Sequence, residues 1–151
     1  MNNSRLENAA ELKARALRLL ARREHSRNEL ARKLAPHAES KETLEAVLDF
    51  LVLKRFLSNE RFAEVRARWL ARKYGAAKIR QDLRGKGISD DVSARVASHQ
   101  NDIPTAKAIL ERKYPGVATT HKERAKRARF LQSRGFSYDT IRAVIADVDV
   151  D

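Results

Sequence analysis

Cysteine is absent from this chain of 151 residues, and glycine (5) and proline (3) are scarce. Without thiols there is no disulfide framework, no thiolate metal site and no cysteine nucleophile. So little Gly and Pro excludes collagen-like, Pro-rich and flexible-linker sequences. Long apolar runs are missing too. The longest, Val47 to Leu53, is interrupted by Asp49 and falls far short of the roughly 20 residues that span a bilayer. Met1-Asn2-Asn3-Ser4 leads straight into charged residues. No secretory leader is therefore expected, and the chain reads as soluble and intracellular. Period-2 alternation is absent as well, so no strands are expected.

What is abundant is positive charge. The chain has 32 Lys plus Arg against 20 Asp plus Glu, a formal +12, and its pI is near 10.5. Such a balance points to polyanionic partners: nucleic acid, an acidic protein face, or a nucleoprotein. The charge is not a detachable tail. Residues 1–57 carry 12 basic and 8 acidic side chains; residues 58–102 and 103–151 each carry 10 and 6, so each segment nets +4. Two stretches are denser. Arg66, Arg68, Arg72, Lys73, Lys78, Arg80, Arg84 and Lys86 have only Asp82 among them, and Lys122, Arg124, Lys126, Arg127 and Arg129 have only Glu123.

The apolar residues follow helical spacing throughout. Ser4 with Glu7 forms a candidate capping box for a first helix carrying Leu12, Ala16 and Leu20, and Ser26 with Glu29 forms a second. Pro36 closes the second helix. Leu44, Val47, Leu48 and Leu51 stripe the third. Ser58 caps a fourth, with Phe62, Val65, Trp69 and Leu70 on one face and Gly75 as its stop. Ile79 and Leu83 mark a fifth, followed by Gly87 where a left-handed turn is needed. Ser89 caps a sixth with Val92 and Val96. Pro104 suits the first turn of a seventh, which carries Ala106, Ile109 and Leu110. An eighth runs from about Thr120 to Arg134. Ser137 caps a ninth with Ile141, Val144, Ile145 and Val148.

Nine helices in three groups suggest a repeat. At an offset of 49, Ala16, Leu20, Leu30 and Leu34 fall on Val65, Trp69, Ile79 and Leu83. At an offset of 48, Leu83, Gly87, Ile88, Ser89 and Asp91 fall on Leu131, Gly135, Phe136, Ser137 and Asp139. At an offset of 40, Arg72-Lys73-Tyr74 falls on Arg112-Lys113-Tyr114. The expected fold is all-α: three tandem three-helix modules, 1–57, 58–102 and 103–151. Even charge favours an elongated array, open to curvature, over a collapsed ball.

Catalytic chemistry finds no foothold. His25, His37, His99 and His121 form no HxxxH pair, so they read as surface or half-buried residues and no metal is expected. Arg84-Gly85-Lys86-Gly87 lacks the spacing and the preceding strand of a phosphate loop. Asp90-Asp91 sits where carboxylates offset a helix dipole. No cofactor is expected. Phe62 and Trp69, seven apart, read as core. Tyr74 and Tyr114, each after Arg-Lys at a helix end, can pack or stack on a base. What remains is the two basic stretches, whose guanidinium and ammonium groups suit phosphate and carboxylate. Singly each is a solvated cation; together they read as a binding surface.

Several segments resemble the RecX regulatory-protein family. Ala16-Leu17-Arg18-Leu19-Leu20 through His25-Ser26-Arg27-Asn28-Glu29-Leu30 and Lys33-Leu34 is similar to its opening, and Phe56-Leu57-Ser58-Asn59-Glu60-Arg61-Phe62-Ala63 to its second signature. Gly75 with Lys78-Ile79-Arg80-Gln81-Asp82-Leu83 and Lys86-Gly87-Ile88 resembles its third, and Phe130-Leu131-Gln132-Ser133-Arg134-Gly135-Phe136 its C-terminal segment. The ordered set covers nearly the whole chain after about residue 12; the short Ala35–Lys41 connection is its one departure. The resemblance implies three tandem three-helix modules and a cytoplasmic bacterial regulator of homologous recombination, DNA repair and the SOS response. That regulator binds the RecA recombinase, lodges in the RecA–DNA filament, and inhibits strand exchange and ATP hydrolysis. It implies no catalytic residues. A monomer is expected, with contact to single-stranded DNA through the filament or directly. Two other readings stay open: a direct DNA- or RNA-binding protein of helix-turn-helix type built on helices eight and nine, and an RNA-associated structural protein.

Overall fold

A computed structural model describes residues 5–145. Among them are nine α-helices and one 3₁₀ turn, and no strand: α1 Ala9–Arg22, α2 Arg27–Leu34, the 3₁₀ turn Ala35–His37, α3 Lys41–Leu53, α4 Asn59–Leu70, α5 Ala76–Gly85, α6 Asp90–Ser98, α7 Asp102–Lys113, α8 His121–Ser133 and α9 Tyr138–Val144. The expected starts at Ser26, Ser89, Thr120 and Ser137 are N-caps, each side-chain oxygen accepting from the amide three residues on. Such a cap satisfies an otherwise orphaned helix donor and contributes about 1 kcal/mol. Ser58 does the same for the Arg61 amide at 3.1 Å.

Two of the expected capping boxes differ. Ser4 lies outside the described residues, as does Val148. The first helix starts instead at Asn8, whose side chain accepts from the Glu11 amide while the Glu11 carboxylate returns the bond to Asn8. At Ser26 only half the box forms. The Glu29 carboxylate turns away to take both guanidinium nitrogens of Arg23, at 3.0 and 2.6 Å, a charge-assisted pair that outcompetes a single backbone amide.

The chain divides into two units. The first takes in the chain through Val65 together with Lys86–Ile88; the second takes in Arg66–Gly85 and the chain from Ser89 onward. The first unit's core is Leu12, Ala16, Leu30, Leu34, Leu44, Val47, Leu48, Leu51 and Leu57, all buried. Each such leucine contributes roughly 1.5–3 kcal/mol by leaving water. Arg27 crosses from α2 to Glu45 and Asp49 of α3, at 2.9 and 2.7 Å. The short connection after α2 ends in a single parallel bridge, the Glu7 amide donating to His37 and the Glu39 amide to Glu7.

His25 is 1% exposed, which corrects the expectation of surface or half-buried histidines. It sits at the α1–α2 turn. Its Nδ1 lies 3.1 Å from the Arg23 carbonyl oxygen and its Nε2 3.1 Å from Lys33 Nζ. A ring that donates from Nδ1 and accepts at Nε2 is neutral. Burial holds its pKa below the ordinary 6.5, reinforced by Arg23 and Lys33 and opposed by its carbonyl partner and Glu29. The unfolded chain therefore takes up a proton here near pH 6.5, while the folded chain resists to lower pH. Stability from this site is complete above pH 6.5 and declines as pH falls below it. Between pH 7.5 and 5 the wild type is expected to lose more melting temperature than a His25→Gln variant does. Parallel losses would contradict the assignment.

In the second unit, Ala106, Ile109, Leu110, Ala128, Leu131, Phe136, Ile141 and Ile145 are buried together. Gly87 and Gly135 both take positive φ, at 84° and 90°. Ile88 and Phe136 after them are each 3% exposed, so the offset of 48 marks a real repeat of turn, apolar plug and serine cap. The offset of 49 holds for Leu30 and Leu34 against Ile79 and Leu83, all fully buried, but fails in the long helices. Val65 and Trp69 are 47% and 55% exposed, not core. The buried residues of α4 are Phe62, Ala63, Ala67 and Leu70. Leu12 and Ala16 therefore correspond to Ala63 and Ala67, two positions further on.

Gly75 does not stop α4, which ends at Leu70. It precedes α5, and its amide donates to the Arg134 carbonyl at 2.8 Å while the Ala77 amide donates to Gly135 at 3.2 Å. A Cβ on Gly75 would lie 2.6 Å from the Gly135 oxygen. Lacking a side chain, Gly75 cannot cap α5. Asp102 does so from the start of α7, its carboxylate accepting from the Ala76 amide at 3.2 Å, and burial there raises its pKa above the ordinary 3.8.

Candidate nucleoprotein-binding face

The resemblance segments meet in pairs. In the first unit, Asn59 accepts from the Arg27 amide at 2.8 Å. Arg61 reaches Glu24 at 2.9 Å and donates to the Arg55 carbonyl at 2.7 Å. The segment around His25 is thus clamped to the one around Ser58. In the second unit, the segment from Gly75 to Lys78 packs on the one from Arg134 to Phe136 through the two glycines. These segments pack on one another, while Lys78 and Lys86 within them stay exposed to solvent.

Of the first basic stretch, three arginines are already engaged. Arg66 pairs with both oxygens of Asp82, at 3.1 and 3.2 Å. Arg80 grips Asp90 through three bonds of 2.8–3.0 Å, which holds the Asp90 carboxyl below its ordinary pKa, and Arg84 approaches the same carboxylate at 3.5 Å. Asp82 is the one acid within the stretch, yet a second acid reaches it from outside. Asp90 follows the stretch in sequence, but the α5–α6 turn folds it back onto α5. Arg68, Arg72, Lys73, Lys78 and Lys86 are exposed, and among the described residues no acid pairs with them.

The second stretch lies along α8 and is more structural than expected. Arg127 donates to the Gly116 carbonyl at 2.8 Å and, with Lys126, lies over the Tyr114 ring. Tyr114 packs edge-on against Phe130 at 5.7 Å, so of its two readings packing holds. Arg124 is half-buried, its Nε without a partner. Lys122 and Arg129 are exposed.

The two Arg-Lys-Tyr ends come together in space. Arg112 donates to the Arg72 carbonyl at 3.0 Å. A hollow of about 420 Å³ is lined by Lys73, Tyr74, Arg112, Lys113, Phe130 and Arg134. The Arg134 guanidinium stacks over Tyr74 and Phe130, at 5.6 and 5.1 Å from the ring centroids. Arg112, Lys113 and Arg134 were not among the candidate residues. The offset-40 repeat held the signal for the first two, since it aligned both cation pairs before a helix-ending tyrosine.

No group of His, Asp or Glu that could hold a metal ion occurs among the described residues. No described helix is long and apolar enough to cross a membrane.

Models of the first, second and third three-helix domains of RecX match residues 13–51, 58–96 and 102–145. Proteins named Regulatory protein RecX are similar along most of the chain. That of Ralstonia nicotianae is 44% identical over 140 residues, 91% of this chain and 88% of the relative. That of Herbaspirillum seropedicae is 44% identical over 133 residues, 87% and 86%. The crystal structure of RecX from Lactobacillus salivarius superposes with a TM-score of 0.78 at 19% identity, covering 90% of this chain and 93% of that one. A second RecX crystal structure gives 0.75 at 22%, covering 90% and 70%.

Proposed function

The chain belongs to the RecX family of regulatory proteins, and on that premise we propose that it binds the RecA recombinase on its DNA filament, inhibiting strand exchange and RecA ATP hydrolysis. The observation that carries the reading is the set of exposed cations at Arg68, Arg72, Lys73, Lys78, Arg112 and Lys113, which no acid of the described chain neutralises. A filament offers a repeating surface of acidic protein and phosphate. Three modules, 1–57, 58–102 and 103–151, each with a net +4, would make several weak contacts that add through effective concentration. ATP hydrolysis then falls because the engaged subunits are held, with no catalytic group, metal or cofactor supplied by this chain. The protein would act in the cytoplasm as a monomer.

The helix-turn-helix alternative finds less support. The helix that would read DNA, α9, has 7 residues, buries Thr140 and Ile141, and stacks its basic Arg142 on Tyr138 at 5.3 Å. The test is affinity. Single-stranded DNA coated with RecA is expected to capture the chain far more tightly than the bare strand, and equal capture would overturn the proposal.

A further inference from the structure

Trp69 is the chain's one tryptophan, and it stands 55% exposed on the last turn of α4. A ring of this size is ordinarily sunk in a core or an interface. The Arg66 guanidinium lies over it, 5.2 Å from the centroid, and is itself fixed by Asp82. The indole is thereby backed at the surface by a cation whose charge is already matched. It borders a hollow of about 410 Å³ that also takes in Lys73, Tyr74 and Lys78. The neighbouring hollow shares Lys73 and Tyr74 and adds Arg112 and Lys113. The two form one track. Along it Lys73, Lys78, Arg112 and Lys113 have no acidic partner among the described residues, and the Asp82 carboxylate is spent on Arg66.

We propose that this track binds an unpaired nucleotide strand directly, with a base stacked on Trp69 and neighbouring phosphates held by Lys73, Lys78, Arg112 and Lys113. The inference rests on the proposed function in one respect: it assigns the DNA of the filament, rather than the recombinase, to this face. The chemistry selects the ligand. An acidic peptide would satisfy the ammonium and guanidinium groups and leave the indole bare. A nucleotide brings a π face and a phosphate in one unit, and aromatic platforms beside cations are how sequence-tolerant single-strand sites are built. In a duplex the base faces are already covered. A backed ring also loses little freedom when the base arrives, which lowers the cost of binding.

The test uses the full chain without recombinase. Trp69 fluorescence is titrated with a short oligothymidylate and, separately, with poly-glutamate. Saturable quenching by the oligonucleotide alone is expected. Trp69→Ala, followed by anisotropy of a labelled strand, is expected to bind about 5- to 150-fold more weakly with an unchanged melting temperature. Lys73→Glu is expected to flatten the log–log salt slope by about 0.7. Unmoved fluorescence, equal quenching by poly-glutamate, or wild-type affinity in Trp69→Ala would each overturn the inference. If bare oligonucleotide fails while RecA-coated filament still captures the chain, this inference falls and the proposed function stands. The opposite pattern retains the track and removes the recombinase.

Discussion

Alanine at Gly135 is expected to destabilise the second unit by about 3–5 kcal/mol, a large share of the roughly 5–15 that hold a domain together. Two costs add. Gly135 has φ +90°, where a Cβ costs about 1–2 kcal/mol. That Cβ would also lie 2.5 Å from Lys78 Cγ and 2.6 Å from the Lys78 backbone nitrogen. The side chain can swing aside, but the backbone nitrogen belongs to the first turn of α5 and cannot. Relief requires separating α5 from the α8–α9 turn, which breaks the bonds from Gly75 to Arg134 and from Ala77 to Gly135. Gly85 is the internal control. A Cβ there meets nothing within 4 Å, so Gly85→Ala is expected to be neutral or stabilising by up to about 1 kcal/mol. Denaturant melts of the two variants decide the matter; equal midpoints would show that the glycine contact does not join these modules.

Reversing Arg72, Lys73 and Lys78 together to glutamate is expected to weaken filament binding about 10- to 100-fold, with inhibition of RecA falling in step. The fold should persist, because these side chains are exposed and have no acidic partner among the described residues, and surface changes of this kind stay within about ±0.5 kcal/mol each. Arg80 and Arg84 make a poorer choice despite their place in the same stretch. Both lean on Asp90, so reversal there would set carboxylates against a carboxylate across α5 and α6, mixing a packing defect with any loss of binding. Inhibition curves for the triple variant, read beside its melting temperature, separate the two effects. Full inhibition by a folded triple variant would remove this face from the mechanism.

The fold was largely legible because serine caps and leucine stripes are local signals. Ser26, Ser58, Ser89 and Ser137 each announce a helix that starts at the next residue, and Leu30, Leu34, Ile79 and Leu83 are apolar enough to declare their face. Helix α4 misled for a physical reason. Its buried stripe is built on Ala63 and Ala67, which carry little hydropathy, while Val65 and Trp69 carry much and point outward. Ser40 escaped notice as the α3 cap, since its partner Thr43 is no capping-box acid. The binding face was half legible. Charge density marked Arg72, Lys73 and Lys78, but which arginines are spent depends on partners brought in by turns. Arg80 meets an acid 10 positions away, Arg66 one 16 away, and Arg61 one 37 away. Such pairings follow from the fold, and no short-range pattern encodes them.

If recognition rests on RecA together with its DNA, as proposed, a salt series reveals it. Binding of the full chain to single-stranded DNA is measured on the bare strand and on the strand coated with RecA and a non-hydrolysable nucleotide. On bare DNA the log–log slope should be about −0.7 per neutralised phosphate. The coated filament is expected to bind much more tightly and with a shallower slope, because protein contacts add affinity without releasing counterions from the strand. Bare DNA binding as tightly as the filament, or more tightly, would contradict it and leave a nucleic-acid-binding protein in its place.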